Sequence, residues 1–247
     1  MSRWAIAGAG LAVFALALIV TAPATLLDSR LAHASEGRVR LAEARGTLWS
    51  GSGLVEILDA DLHGGIAKHA AWRIRPAYLL RAQLVYEVVL DHAPKPFAVA
   101  LQRSQTEVSD ADIALPAASL GLAEPRLAAL ELTGDVQLHV ARLTLAPGTI
   151  QGNATLQWRA AGSALAPVSP LGDYELNLEG DGGGVRASLR TLQGPLQLDG
   201  QGSWTPGGNP QFAGTARVPP QHQQQLTPLL RLIAIDRGGG IFSVQMK

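Results

Sequence analysis

Residues 132–158 read LTGDVQLHVARLTLAPGTIQGNATLQW, and the period of this stretch decides the fold class. Val136, Leu138 and Val140 alternate with Gln137 and His139, Pro147 and Gly148 signal a turn, and Leu156 and Trp158 fall in phase beyond it. Successive side chains of a strand point to opposite faces, so the stretch reads as strand, turn, strand, each with one apolar side. The same two-residue period extends both ways. Toward the C-terminus it runs through Tyr174, Leu176 and Leu178, then Val185, Ala187 and Leu189, then Leu196 and Leu198, then Phe212, Gly214, Ala216 and Val218. Toward the N-terminus it shows at residues 38–41 and 54–59, at Trp72 and Ile74 opposite Arg73 and Arg75, at residues 83–90, at Phe97, Val99 and Leu101, and at Val108, Ile113 and Leu115. Pro76 closes the Trp72 run, and the 27 glycines are read as sitting mainly between runs or at their ends. Short strands spaced by roughly ten residues predict a mainly β fold, an antiparallel β-rich domain built as an open barrel or sandwich-like curved sheet.

Two segments break the period. Residues 116–122 have a brief helical look. Leu226, Leu229, Leu230 and Ile233 stand at i, i+3, i+4 and i+7, which predicts a short C-terminal amphipathic helix over residues 223–234, lying on the sheet. Residues 236–240 then turn the chain into a last strand, 241–246, which needs a sheet partner to be stable so near the end. After residue 27, Asp28 or Ser29 is expected to cap a short helix that Gly37 stops. Gly46-Thr47-Leu48-Trp49-Ser50-Gly51 reads as a short strand bounded by turns or bulges, with Trp49 packing inward.

Residues 4–27, WAIAGAGLAVFALALIVTAPATLL, carry no charge. Twenty residues of helix reach about 30 Å, the thickness of a bilayer's hydrocarbon core. Arg3 is the only charged side chain before them, which places residues 1–3 in the cytoplasm and everything from Asp28 onward across the membrane. Two readings stay open. Either the segment is a retained single-pass anchor with Trp4 at the interface, or it is a signal peptide cut at Ala22-Pro23-Ala24, a site whose proline argues against cutting. The domain plan is then an anchor at 1–27 and an exported β-rich domain at 28–247, whole or as two similar lobes, 28–130 and 131–247.

Composition narrows the function. There is no cysteine, which excludes a disulfide framework, a thiolate metal site and a cysteine nucleophile. Twenty basic residues balance twenty acidic ones, so net charge gives no argument for a nucleic-acid partner. Only 16% of residues are charged, below the roughly 25% of soluble domains, which with the apolar segment suits a domain held close to a membrane. No catalytic pattern emerges. The histidines, including His63, His69, His92, His139 and His222, form no HExxH pair, and Ser50 lacks the GxSxG elbow because residue 48 is leucine. Asp59 with Asp61, and Asp110 with Asp112, are two apart but lack the glycine-bearing loop of a calcium site. Residues 180–184, GDGGG, lack the lysine and the helix of a phosphate loop and read as a hairpin turn. No cofactor, metal or small-molecule substrate is expected.

Several blocks in order carry a resemblance: GTLWSG at Gly46 to Gly51, Trp72-Arg73-Ile74-Arg75-Pro76 with Leu79 and Leu80 after it, GNATLQW ending at Trp158, LGDY ending at Tyr174, and GPLQLDG from Gly194 to Gly200. Together with the N-terminal apolar segment they resemble the N protein family of type II (general) secretion systems. The resemblance implies an accessory component of the machine that exports folded periplasmic proteins, single-pass in the cell inner membrane with the bulk of the chain periplasmic. It further implies contact with the inner-membrane C component, the outer-membrane secretin or both, and no enzymatic activity. The chain departs from the family in its long 163–170 loop and glycine-rich 181–184 turn. The expected mechanism is scaffolding, through an exposed sheet edge or the tryptophan-bearing surface. The interaction or structural motif comprises Gly46, Thr47, Leu48, Trp49, Ser50, Gly51, Trp72, Pro76 and Trp158, and the plainer reading is that these residues hold the fold. A second class stays open, an envelope protein that binds or transfers lipid along a hydrophobic β groove.

Overall fold

The alternation is realised in a computed structural model that describes residues 13–14, 17–59, 65–81, 83–91, 93–123, 125–232 and 234–246. Trp4, Asp61, His63, Gly64, His92, Ile233 and most of the first half of the 4–27 segment lie outside the described residues. Among the described residues no helix is long and apolar enough to cross a membrane. Residues 13–14 and 17–20 are helical, and α1 (Thr25–Ala34) follows. The strands are β1 (Val39–Gly46), β2 (Ser50–Leu58), β3 (Gly65–Ile74), β4 (Leu84–Leu90), β5 (Phe97–Leu101), β6 (Thr106–Pro116), β7 (Leu132–Ala146) and β8 (Thr149–Ser163). They continue with β9 (Gly172–Asp181), β10 (Val185–Gln193), β11 (Gln197–Trp204), β12 (Gln211–Arg217), β13 (Ile235–Gly238) and β14 (Ile241–Met246). Between them lie α2 (Leu120–Ala123), α3 (Pro125–Ala128), α4 (Gln223–Leu230) and a 3-10 turn at Pro76–Arg81.

All strands join one antiparallel sheet, in chain order from β1 to β12 and then β14 and β13. β1 and β13 are its two edges, so the sheet is open rather than closed into a barrel. It curls nonetheless. Arg38, just before β1, donates from Nη2 to the Leu122 carbonyl at 2.7 Å, although four strands separate β1 from β6, which leads into that segment. β6 pairs with β7 along nearly its whole length, so the sheet is continuous across residue 130.

Apart from the exposed edge strand β13, the register brings apolar residues of the strands together on one inner face. One row runs Val136, Trp158, Tyr174 on β7 to β9, and ends Leu198, Ala216, Phe242 on β11, β12 and β14. β-Bulges keep the pattern in step where the sequence period slips. Val108 and Ile113 are five apart, which a regular strand would place on opposite faces, yet both pack in the cluster around Phe97, Ala111 and Val140. Asp110 at φ 56° breaks the alternation between them, and β7 opposite carries its own bulge between Val140 and Arg142, so β6 and β7 stay in register. For the same reason Asp110 and Asp112 do not act as a pair. Asp112 instead meets His139 Nδ1 at 2.6 Å across β6 and β7.

Two further clusters complete the core. At one end Leu226, Leu229 and Leu230 of α4 press onto Leu130, Leu171, Leu196, Val218 and Phe242. Leu226, Leu230 and Phe242 are fully buried, each stabilising the fold by about 1.5–3 kcal/mol relative to exposure. At the other end Ala24, Leu41, Trp72 and Tyr86 pack together. From β7 to β10 the outer face is polar, with Gln137, His139, Gln157, Asn177 and Arg190 among its residues. Glu175 on β9 is its buried centre, accepting from Asn177 Nδ2 at 3.0 Å, Gln157 Nε2 at 3.1 Å and Arg190 Nε at 2.9 Å. The Asn177 amide first, then Arg190 and Gln157, hold its carboxyl below the usual range. Burial, and Asp173 beside it, push the Tyr174 hydroxyl well above its ordinary value.

Five expectations are corrected. α1 begins at Thr25, before Asp28, and no side chain caps it. Asp28 instead accepts the Leu41 N–H at 2.8 Å and Ser35 accepts that of Val39 at 2.8 Å, so α1 covers the β1 edge. Residues 47–49 are the turn between β1 and β2 rather than a strand. α4 ends at Leu230, with Pro228 removing one of its internal hydrogen bonds, and residues 235–238 form an edge strand where a turn was expected. Finally, Gly152, Gly180, Gly200, Gly202 and Gly214 lie inside strands rather than between them.

Candidate functional site

The β1–β2 turn is where most of the sequence-predicted motif meets. Thr47 N–H donates to the Ser50 carbonyl at 2.9 Å, and Thr47 Oγ1 accepts from the Ser50 N–H at 3.2 Å, which closes the turn on itself. Gly46 sits at φ 91°, and a side chain there would stand 2.6 Å from the Ser50 carbonyl oxygen. Gly51 is required by the Arg45 carbonyl oxygen, 2.3 Å from where a Cβ on Gly51 would stand, and by the Trp72 ring, 2.6 Å from it. Trp72 in turn donates from Nε1 to the Thr47 carbonyl at 3.2 Å. Gly46, Thr47, Ser50, Gly51 and Trp72 thus form one packed unit, with Trp72 buried at its centre.

The N-terminal segment is built into this corner. Pro23 bridges to Thr47, Leu48 N–H donates to the Ala22 carbonyl at 2.8 Å, and Ala24 N–H donates to the Gly46 carbonyl at 3.2 Å. Trp49 is half-buried rather than inward-packed, and its Nε1 donates to the Ile19 carbonyl at 2.8 Å. On the other side the Ile74 N–H donates to the Trp49 carbonyl at 2.7 Å, and Pro76, exposed, opens the 3-10 turn that follows. Leu48 and Pro76 therefore flank the unit. Trp158 does not join it. On β8, it donates from Nε1 to the Thr133 carbonyl at 3.0 Å and tilts against Tyr174 with ring centroids 5.9 Å apart.

A second feature was not singled out from the sequence. Between β7 and β12 the inner face is an open groove of about 760 Å³, lined by Leu145, Ile150, Leu178, Val185, Trp204 and Phe212 among others. Its size and apolar lining are those of a site for an apolar ligand. The Phe212 ring forms part of its floor, lying flat over Gly200, Gly202 and Gly214. A Cβ on either Gly202 or Gly214 would stand 3.0 Å from that ring. The signal available in the sequence was glycine on the apolar phase of consecutive strands, a residue that opens space where a side chain would fill it. Among the described residues no three His, Asp or Glu side chains gather as metal ligands.

Comparison with known proteins gives one positive finding. A family model described as type II secretion system (T2SS), protein N matches residues 37–245, which takes in the β1–β2 turn, the groove and α4. No curated protein and no solved structure matches the chain.

Proposed function

Because the chain belongs to the type II secretion system protein N family, we propose that it is an accessory scaffold of that system. In this reading it is fixed in the inner membrane by residues 4–27 and bridges inner-membrane components to the outer-membrane secretin from the periplasm. The observation that carries the assignment to secretion is the family match over nearly the whole sheet. What supports a retained anchor is the way Ala22, Pro23 and Ala24 are used. Ala24 is 1% exposed, and Pro23 and Ala22 are bonded to the β1–β2 turn, so cutting there would strip contacts from the fold. A single anchor also raises the local concentration of the domain near membrane-bound partners, so weak interfaces are occupied.

The surface offered to those partners is the β13 edge. Asp28 of α1 and Ser35 just after it accept the Leu41 and Val39 amides on the β1 edge, whereas all four residues of β13 are exposed, with Leu232, Ile235 and Ile241 at 65%, 57% and 42% exposure around it. An edge of this kind accepts an added strand. Photocrosslinking in cells, with the probe placed in turn at Ile235, Arg237, Ser50 and Arg159, tests the reading. Adducts to the secretin or to the inner-membrane C component at Ile235 or Arg237 support it. Adducts to lipid alone, in cells that secrete and express the chain normally, overturn it.

The groove between β7 and β12 favours a second reading, in which the inner face holds an acyl chain. Lipid extracted with the purified full chain, and lost on Leu178→Asp with the fold intact, is the outcome that would select it.

A further inference from the structure

The 3-10 turn Pro76–Arg81, PAYLLR, carries Leu80 at 92% and Leu79 at 44% exposure. A lone exposed leucine is ordinary on a protein surface. Position makes this pair different. The turn starts directly after β3, whose last amide is bonded to Trp49, and Trp49 Nε1 is bonded to Ile19 in the N-terminal helical segment. The large described apolar side chains of that segment, Val13, Phe14, Leu18, Ile19 and Val20, are all 55–67% exposed. Apolar helix end, tryptophan and leucine pair thus follow one another through two hydrogen bonds. Basic groups flank them: Arg73 and Arg75 share Glu87 at 3.3 and 3.5 Å, and Arg81 is exposed, so three cations stand against one carboxylate.

The geometry points to a bilayer-contact surface: Leu79 and Leu80 enter the lipid interface beside the anchor, Trp49 sits at headgroup level, and Arg75 and Arg81 reach lipid phosphates. Each element has its physical reason. Leucines lose water by entering the acyl boundary, tryptophan favours the interface, and arginine covers apolar surface with its stem while its guanidinium stays with phosphate. The consequence is mechanical. A single helix fixed to the domain at Ile19 to Ala24 still leaves the two together free to tilt in the bilayer, whereas a second contact at residues 79–80 sets the tilt of the sheet on the membrane and so the direction in which the β13 edge is presented.

This inference rests on the retained-anchor reading, and its test separates the two. The chain has no cysteine, so single substitutions Phe14→Cys, Leu80→Cys and Gln201→Cys each accept one nitroxide label on the full chain. The labelled chains are reconstituted in vesicles of phosphatidylethanolamine and phosphatidylglycerol, and collision with a water-soluble paramagnetic reagent and with dissolved oxygen is measured. Positions 14 and 80 are expected to show several-fold less collision with the aqueous reagent than position 201, and more with oxygen. If position 14 is shielded and position 80 is as open as 201, the contact surface is refuted while the anchor stands. If position 14 is as open as 201, the anchor and the contact surface fall together.

Discussion

Under α4 the inner face of the sheet is filled, and between β7 and β12 the same face is open. Leu226, Leu230 and Phe242 are at most 1% exposed at the first place, whereas Leu145 and Trp204 are 39% and 37% exposed at the second. Both regions have the same strand period, so alternation does not separate them. What differs is the cover. A helix lays three leucines on one, while Phe212 lies flat over glycines in the other and leaves a groove above it. The contrast teaches that one end of this sheet is where apolar surface is buried and the other is where it is left open as a groove.

The largest effect should come from breaking the closed end. Phe242→Ala is expected to cost about 3–5 kcal/mol in chemical denaturation, because α4 and β14 pin the cavity walls. A cost below 1 kcal/mol would show that the closed end is not the stabilising one. Next comes the corner that joins β1, β2 and β3. Gly51→Ala drives a methyl group against the Arg45 carbonyl oxygen and into the Trp72 ring and should cost about 1–3 kcal/mol, with a loss of Trp72 near-ultraviolet signal. An unchanged signal would mean that the ring has room which the packing denies.

On the outer face, Glu175→Gln should cost about 1 kcal/mol at neutral pH, discounted for the exposure of Arg190. The folded carboxyl titrates below its unfolded value of about 4.3, so its contribution is present above that pH and is lost as pH falls through the lower folded value. The gap between the parent and the variant should therefore narrow in acid, and a constant gap from pH 7 to strong acid would contradict the assignment. The smallest effect is expected in the groove. Leu145→Ser should change stability by no more than about 0.5 kcal/mol, and a cost comparable to Phe242→Ala would mean that this end is closed after all.

The strand series, the C-terminal leucine stripe and the brief helix near residue 120 were legible because each is a local period. The corner was legible only as a set of names. GTLWSG reads equally well as strand or turn, and it becomes a turn because Pro23 and Ala22 arrive from outside it to bond Thr47 and Leu48. Asp28 looked like a cap for the same reason. Its side chain has a better partner in the Leu41 amide, thirteen residues away, than in its own helix. Leu79 and Leu80 were visible as residues, but their exposure depends on the turn that follows β3.

By itself the amino-acid sequence determined that this chain is a series of short antiparallel strands, each with an apolar side, since side-chain alternation is dictated by the backbone of each strand alone; that they join in one sheet came from the structure. Only the tertiary structure decided that the sheet stays open, which edge α1 covers, and where the apolar face is filled or left as a groove. Those outcomes depend on which distant segment reaches a given amide or apolar surface first, and no local period records that.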